Sequence, residues 1–307
     1  MTTASAPAKT ILFGEHAVVY GQPAIAVPVS GLRAFASAEP NTKGGLRILA
    51  ADLDIPVIID TEAVDHALAL TARLVLKALH AAPPDAAITI RSDIPIASGL
   101  GSGAAVSTAL ARALCAALGQ SLDEAALNAL IYEVEKIHHG TPSGIDNTVI
   151  VYERPVYFVR GQPIETLSIG APFTLLIGDT GKSASTRDAV AGVRALFDTD
   201  PAAIQPVLDE IGGLVAQARA AIERGDLAQV GGLMGRNHAL LRLLTVSSPE
   251  LDALVEAAET AGALGAKLSG GGRGGNMIAL VTSQTRDAVR DALYAAGAAR
   301  VFETEVR

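Results

Sequence analysis

The stretch Pro95-Ile96-Ala97-Ser98-Gly99-Leu100-Gly101-Ser102-Gly103-Ala104-Ala105 lies between a strand-like run, Ala86 to Arg91, and a helical pattern from Gly103 to Leu118. Its glycines let backbone N–H groups converge without a Cβ in the way, and the helix that follows adds partial positive charge at its N-terminus. Those are the ingredients of a phosphate cradle. No lysine follows where a Walker A loop requires one, so the loop is not of that type. The same glycines also suit a tight turn packing a strand closely on a helix, and the loop by itself leaves both uses open.

Working outward toward the N-terminus, Thr61 to His80 carries apolar residues at roughly helical spacing, and Leu46 to Ile59 has strand character. Ile11 to Ala36 mixes two β-type runs, Ala24 to Val29 and Leu32 to Ala38, with turn-forming Gly and Pro, which predicts an opening hairpin. Toward the C-terminus, Ser121-Leu122-Asp123-Glu124 is a capping box that predicts a helix from Leu122 to about His138. A loop to Asn147 follows, then strands at Val149 to Tyr152, Pro155 to Val159 and Phe173 to Ile177. Helical patterns occupy Ser183 to Phe197, Ala202 to Arg224, Leu227 to Leu243 and Pro249 to Ala263. The chain closes with strands at Ala266 to Ser269 and Asn276 to Val281, a helix at Arg286 to Ala296 and a strand at Arg300 to Glu305. Strands and helices without a regular βαβ repeat predict an α+β fold, not a doubly wound parallel sheet. The domain boundary is expected between residues 160 and 172, giving domains 1–165 and 166–307.

Half of the 307 residues are hydrophobic, enough for a large core, which excludes a disordered chain. The net charge is -8 and the basic residues are scattered, so no footprint for nucleic acid or an anionic membrane is visible. An anionic substrate would need local basic residues. The single cysteine, Cys115, reads as helix core with Met234 and Met277, which rules out an intramolecular disulfide and a cysteine-built metal site. Lys9, Glu15 and His16 break up the first twenty residues, and Arg73 and Lys77 interrupt the most apolar helical stretch, so a soluble cytoplasmic protein is expected.

Two further segments carry chemical potential. In Glu135-Lys136-Ile137-His138-His139-Gly140-Thr141-Pro142-Ser143-Gly144-Ile145-Asp146-Asn147, a helix bearing one carboxylate runs into a loop bearing another. Folded back, the pair would suit cation holding and proton handling; otherwise they are solvated charges at a helix end. The adjacent histidines point in different directions on a helix and do not suit joint ligation. His66, His80 and His238 read as helix-surface or packed residues. Lys267-Leu268-Ser269-Gly270-Gly271-Gly272-Arg273-Gly274-Gly275 contains G-x-G-x-x-G, but a strand follows where a dinucleotide site needs a helix. It reads instead as a glycine loop between two strands. Gly178-Asp179-Thr180-Gly181-Lys182-Ser183 imitates the end of a P-loop, but Leu176 occupies the required first-glycine position.

These three segments, in this order and preceded by Gly14-Glu15-His16-Ala17-Val18-Val19-Tyr20-Gly21, resemble the GHMP kinases over essentially the whole chain. GEHAVVYG together with HGTPSGIDN is similar to the mevalonate kinases within that superfamily. The resemblance implies an α+β fold with a ribosomal-protein-S5-like N-terminal domain and a ferredoxin-like C-terminal domain. It also implies ATP as co-substrate, Mg²⁺ as cofactor, mevalonate as acceptor at its 5-hydroxyl, and a homodimer as a common family state. In that picture Pro95, Ile96, Ala97, Ser98, Gly99, Leu100, Gly101, Ser102, Gly103, Ala104 and Ala105 wrap the ATP phosphates, while Glu135 and Ser102 hold Mg²⁺. Asp146 is the base and Lys9 the charge-stabilising lysine. Glu15, His16, Ser185 and Thr186 shape the acceptor pocket, and Gly270 to Gly275 line the phosphate side with Gly271 against the substrate. One departure stands out: the family loop is usually G-L-G-S-S, and here Gly103 occupies the second serine position, so only Ser102 supplies a hydroxyl locally unless Ser107 or water substitutes. Another acceptor kinase of the superfamily, or a silent metabolite-binding relative, remains an alternative. Phosphomevalonate would need additional basic residues, for which Lys9, Lys182, Arg187 and Arg273 are the candidates.

Overall fold

The computed structural model describes residues 2–50, 57–59, 66–95, 98–139, 142–183 and 185–307, with backbone alone at 57–59 and 138–139. The chain forms two compact units. One comprises Met1–Ala8, Leu32–Ile96 and Gly101–Glu153; the other comprises Lys9–Gly31, Ala97–Leu100 and Arg154–Arg307.

The first unit takes part of β1 (Thr2–Phe13) and of β2 (Ala24–Pro40), then β3 (Arg47–Ala50), β4 (Val57–Ile59), α1 (Ala67–Ala78), β5 (Ala86–Ser92), α2 (Ser102–Ala117), α3 (Glu124–His139) and α4 (Ile145–Tyr152). β3 pairs antiparallel with β4 and parallel with β5. β5 in turn pairs antiparallel with the Ala34–Pro40 half of β2, where Ala34, Ala36 and Ala38 alternate onto the buried face opposite Ser92, Ile90 and Ile88. α2 packs on β5 and also against α1, α3 and α4. Enclosure on so many sides accounts for its small apolar residues, with Ala104, Ala105, Ala109, Leu110, Ala111, Ala113 and Leu114 all buried.

Three sequence expectations are corrected here. The two runs read as separate strands between Ala24 and Ala38 form one seventeen-residue strand, β2, which pairs with β1 across a short 3-10 turn at Ala17–Tyr20. The predicted strand at Val149 to Tyr152 is the second half of helix α4. Its β-branched residues disfavour helix weakly. Packing against α2 and α3 outweighs that preference: Ile145, Asn147, Thr148, Val149, Ile150 and Val151 are all buried. Thr148 Oγ1 donates to the Gly144 carbonyl at 2.7 Å, and Asn147 Nδ2 donates to Asn128 Oδ1 on α3 at 2.6 Å. Third, α3 starts at Glu124 rather than Leu122, because Asp123 Oδ1 accepts the Ala126 N–H at 2.7 Å and does the capping assigned to Ser121. The predicted helix from Thr61 is seen from Ala67; its first residues lie outside the described set.

In the second unit β6 (Val156–Phe158) pairs with Ala24–Ala26 of β2 and with β7 (Glu165–Thr166). Then come β8 (Phe173–Asp179), helices α5 (Thr186–Thr199), α6 (Pro201–Arg224), α7 (Leu227–Leu243) and α8 (Pro249–Thr260), strands β9 (Gly265–Ser269) and β10 (Asn276–Val281), α9 (Arg286–Ala295) and β11 (Arg300–Val306). The sheet order is β11-β8-β10-β9, with β8 antiparallel to both β11 and β10, and β10 antiparallel to β9. Strand, helices, strand, strand, helix, strand in that order is the split βαβ, ferredoxin-like arrangement expected for the C-terminal half. β8 and β10, the central strands, are buried almost along their whole length, and so is the edge strand β9, against which α7 and α8 pack.

Candidate active site

In the second unit the end of β1 delivers Lys9 and then the Gly14-Glu15-His16 turn. Its position is set by two clamps. The Lys9 N–H donates to the Leu100 carbonyl at 3.0 Å, tying β1 to the glycine loop of residues 98–100. The Ser269 hydroxyl at the end of β9 donates to the Ile11 carbonyl (2.9 Å), accepts from the Ile11 N–H (3.2 Å) and lies 2.8 Å from Thr10 Oγ1.

Glu15 and Lys267 form an ion pair with side chains 1% and 0% exposed. Lys267 Nζ donates to Glu15 Oε1 and, at 2.6 Å, to the Leu268 carbonyl. Burial pushes the Glu15 carboxyl above its ordinary range, with the Lys267 charge opposing that and the Lys9 charge adding to the opposition. Burial likewise pulls the Lys267 ammonium down, and Glu15 opposes it. The other carboxylate oxygen, Oε2, is buried with no hydrogen-bond partner among the described residues.

His16 is buried, and burial lowers its pKa to about 4, so the ring is neutral at pH 7. Its Nε2 lies 3.0 Å from the Gly271 carbonyl. A carbonyl only accepts, so Nε2 carries the proton and Nδ1 is left as a lone-pair acceptor. Nδ1 is buried and makes no hydrogen bond among the described residues. The His16 backbone sits at φ 61° and ψ −47°, a strained positive-φ conformation of the kind that collects at functional sites.

The second glycine loop is the β9–β10 hairpin predicted from sequence. Asn276 Nδ2 donates to the Ser98 carbonyl, so within this unit the two glycine loops meet. A Cβ on Gly271 would lie 3.1 Å from Thr186, which brings Thr186 to the wall occupied by His16. Ser185 instead caps α5, its Oγ accepting the Asp188 N–H at 3.2 Å. Arg273 reaches the Asp188 and Thr245 carbonyls at 3.4 Å each.

The first unit holds the remaining candidates. Gly101 caps α2 in the left-handed conformation, and among the described residues no side chain caps the first-turn amides, to which Ser102 and Gly103 contribute. Pro95 precedes the loop, Ala104 and Ala105 are buried under it, and Ile96 and Ala97 lie outside the described residues, as do Gly140 and Thr141. Glu135 is buried on α3, and Asp146 is half-buried in the first turn of α4. Mutual packing of α2, α3 and α4 gathers the elements that carry Ser102, Glu135 and Asp146. Ser107 Oγ is buried in α2 without a hydrogen bond among the described residues. A carboxylate and a hydroxyl are oxygen donors of the type Mg²⁺ takes alongside phosphate and water. Among the described residues no group of three His, Cys, Asp or Glu side chains gathers, and no helix is long and apolar enough to cross a membrane.

The sequence reading missed Lys267 as a site residue, although a lysine in the otherwise apolar run Gly265–Ser269 was a signal of a buried partner.

Two family models match, the GHMP kinases N terminal domain over residues 66–154 and the GHMP kinases C terminal over residues 218–299. The mevalonate kinase of Pyrococcus horikoshii is 38% identical across 96% of this chain and 92% of its own length. A crystal structure of L. major mevalonate kinase in complex with R-mevalonate superposes with a TM-score of 0.85 at 31% identity, covering 100% of this chain and 96% of the other. The Streptococcus pneumoniae phosphomevalonate kinase in complex with phosphomevalonate and AMPPNP shares the fold at a TM-score of 0.82 and 20% identity, covering 99% of this chain and 100% of the other.

Proposed function

The chain belongs to the GHMP kinases, and we propose that within them it transfers the terminal phosphoryl group of ATP to the 5-hydroxyl of mevalonate, giving 5-phosphomevalonate. The observation that carries this reading is near-full-length identity of 38% and 31% to proteins named as mevalonate kinases, one of them holding R-mevalonate. The phosphomevalonate kinase likeness, at 20% identity, speaks for the fold alone.

Phosphoryl transfer is largely positioning and charge neutralisation. The first-turn amides of α2, with the loop from Pro95 to Ala105, bind the ATP phosphates. Glu135 and Ser102 would hold Mg²⁺, which supplies charge neutralisation at the phosphates when bound. Asp146 takes the proton of the 5-hydroxyl as that oxygen bonds to the γ-phosphorus and ADP departs with the former bridging oxygen. Lys9 lowers the pKa of the hydroxyl and offsets charge on the transferring group. Glu15, His16 and Thr186 line the acceptor pocket, supported by the shared wall at Gly271 and by the buried acceptors on Glu15 and His16. Ser185 serves as a cap in the structure and contributes to the pocket through its remaining hydroxyl proton. Domain division at 165/166, a cytoplasmic location and a homodimer belong to the same reading.

A coupled assay of ADP release with Mg²⁺·ATP against mevalonate, phosphomevalonate, galactose and homoserine tests it. Turnover on mevalonate alone is the expected result; turnover on phosphomevalonate with none on mevalonate would move the chain to another branch of the family.

A further inference from the structure

The Glu15–Lys267 pair is poorly accounted for by folding alone. A fully buried ion pair commonly contributes no more to stability than apolar side chains of the same volume, because both charges have lost their water. This one also leaves an acceptor unused: Lys267 engages Oε1, while the equally buried Oε2 has no partner among the described residues. On the next residue His16 Nδ1 is in the same condition, its ring held by the Gly271 carbonyl so that the bare nitrogen is an acceptor. Buried unpaired acceptors are costly, about 1–3 kcal/mol each. Two on consecutive residues, both unpartnered among the described residues, suit hydroxyl donors of a bound ligand.

We propose that Lys267 is the positioning residue of the acceptor pocket: its buried ammonium anchors Glu15 as a carboxylate, whose second oxygen, with the bare ring nitrogen of His16, receives the hydroxyl donors of the substrate. The proposal rests on the acceptor-alcohol reading given above. Lys267 reaches no solvent and acts through Glu15. Its own place is fixed by the Leu268 carbonyl, while the Leu268 N–H donates to His238 Nδ1 at 3.3 Å and His238 Nε2 lies 3.2 Å from Asp252 Oδ1. The charges bearing on this cluster are Lys9 and Lys267 on Glu15, Arg273 and Lys267 on His16, and Asp252, Lys267 and Arg242 on His238. Without Lys267, the buried Glu15 carboxyl takes up a proton, turning an acceptor into a donor and mismatching a hydroxyl that must donate.

The experiment compares wild type, Lys267→Met and the charge-balanced double variant Glu15→Gln/Lys267→Met, with mevalonate and ATP varied separately across pH. Lys267→Met should raise the KM for mevalonate about tenfold or more and leave the KM for ATP within about twofold. Its kcat/KM for mevalonate should also gain a rise with increasing pH that wild type lacks, as Glu15 loses the added proton. The double variant removes the lone buried charge and protects folding; its pH rise should vanish while the KM for mevalonate stays high. If the pair serves folding only, the double variant returns to the wild-type KM, and that result overturns the proposal, as does an unchanged KM in folded Lys267→Met. Should Lys267→Met not fold, the double variant decides alone. A wild-type protein with no turnover on mevalonate would instead refute the functional reading itself.

Discussion

The two glycine loops have similar composition and opposite surroundings. At Gly99, φ is +80° and an added Cβ would meet nothing within 4 Å among the described residues. At Gly272, φ is +75° and the same Cβ would lie 1.9 Å from the Val246 carbonyl oxygen. Glycine at the first position serves the backbone conformation and leaves open space beside the chain. At the second it permits a close approach of two backbones, reinforced by the Arg273 N–H donating to that same Val246 carbonyl at 2.7 Å. The space beside Gly99 is open, whereas the packed loop holds a wall in place, including the Gly271 carbonyl that orients His16. Glycine content alone does not distinguish a binding loop from a packed one.

That contrast breaks most sharply on chemistry. If the open loop presents ATP for attack, its activity depends on a base that the packed loop does not provide, and Asp146→Asn should lower kcat by about 10²–10⁴ while leaving ATP affinity nearly unchanged. Steady-state kinetics with nucleotide titration checks this; near-normal kcat in folded protein would remove Asp146 from the base role. Next comes Gly272→Ala, which forces a methyl group against a carbonyl and should destabilise the fold by about 3 kcal/mol or prevent folding. Denaturant unfolding measures it, and a loss under about 1 kcal/mol would show that the wall yields. The smallest stability effect belongs to Gly99→Ala, about 1 kcal/mol from the left-handed backbone alone, accompanied by a roughly tenfold rise in the KM for ATP. An unchanged KM for ATP would mean that the open space beside Gly99 is not nucleotide space.

Much of the architecture was legible because burial and periodicity agreed. The strands at Ala86, Phe173 and Asn276 and the helix from Leu227 to Leu243 stand where alternation or helical spacing put them. Legibility failed where tertiary packing overrode local preference. Val149 to Tyr152 is β-branched enough to read as a strand, yet it completes a helix because α2 and α3 enclose it. At α3 two capping residues competed, and Asp123 prevailed over Ser121 through a hydrogen bond that spacing alone does not rank. Within the site, the order of the motifs was readable, but the partnership of Glu15 with Lys267 was not. The two residues are 252 positions apart, and their pairing depends on β1 and β9 being clamped together through Ser269. Likewise, Ser185 reads as a pocket residue in sequence, while its position at the start of α5 gives its oxygen a capping bond.

The central claim is that this chain phosphorylates mevalonate at its 5-hydroxyl, and identification of the product by ³¹P and ¹H NMR tests it most directly. Incubation with Mg²⁺·ATP and R-mevalonate should yield ADP and one new phosphomonoester whose phosphorus couples to the C5 methylene protons. A phosphorus signal without that coupling, or inorganic phosphate appearing in step with ADP while mevalonate is unchanged, would contradict it.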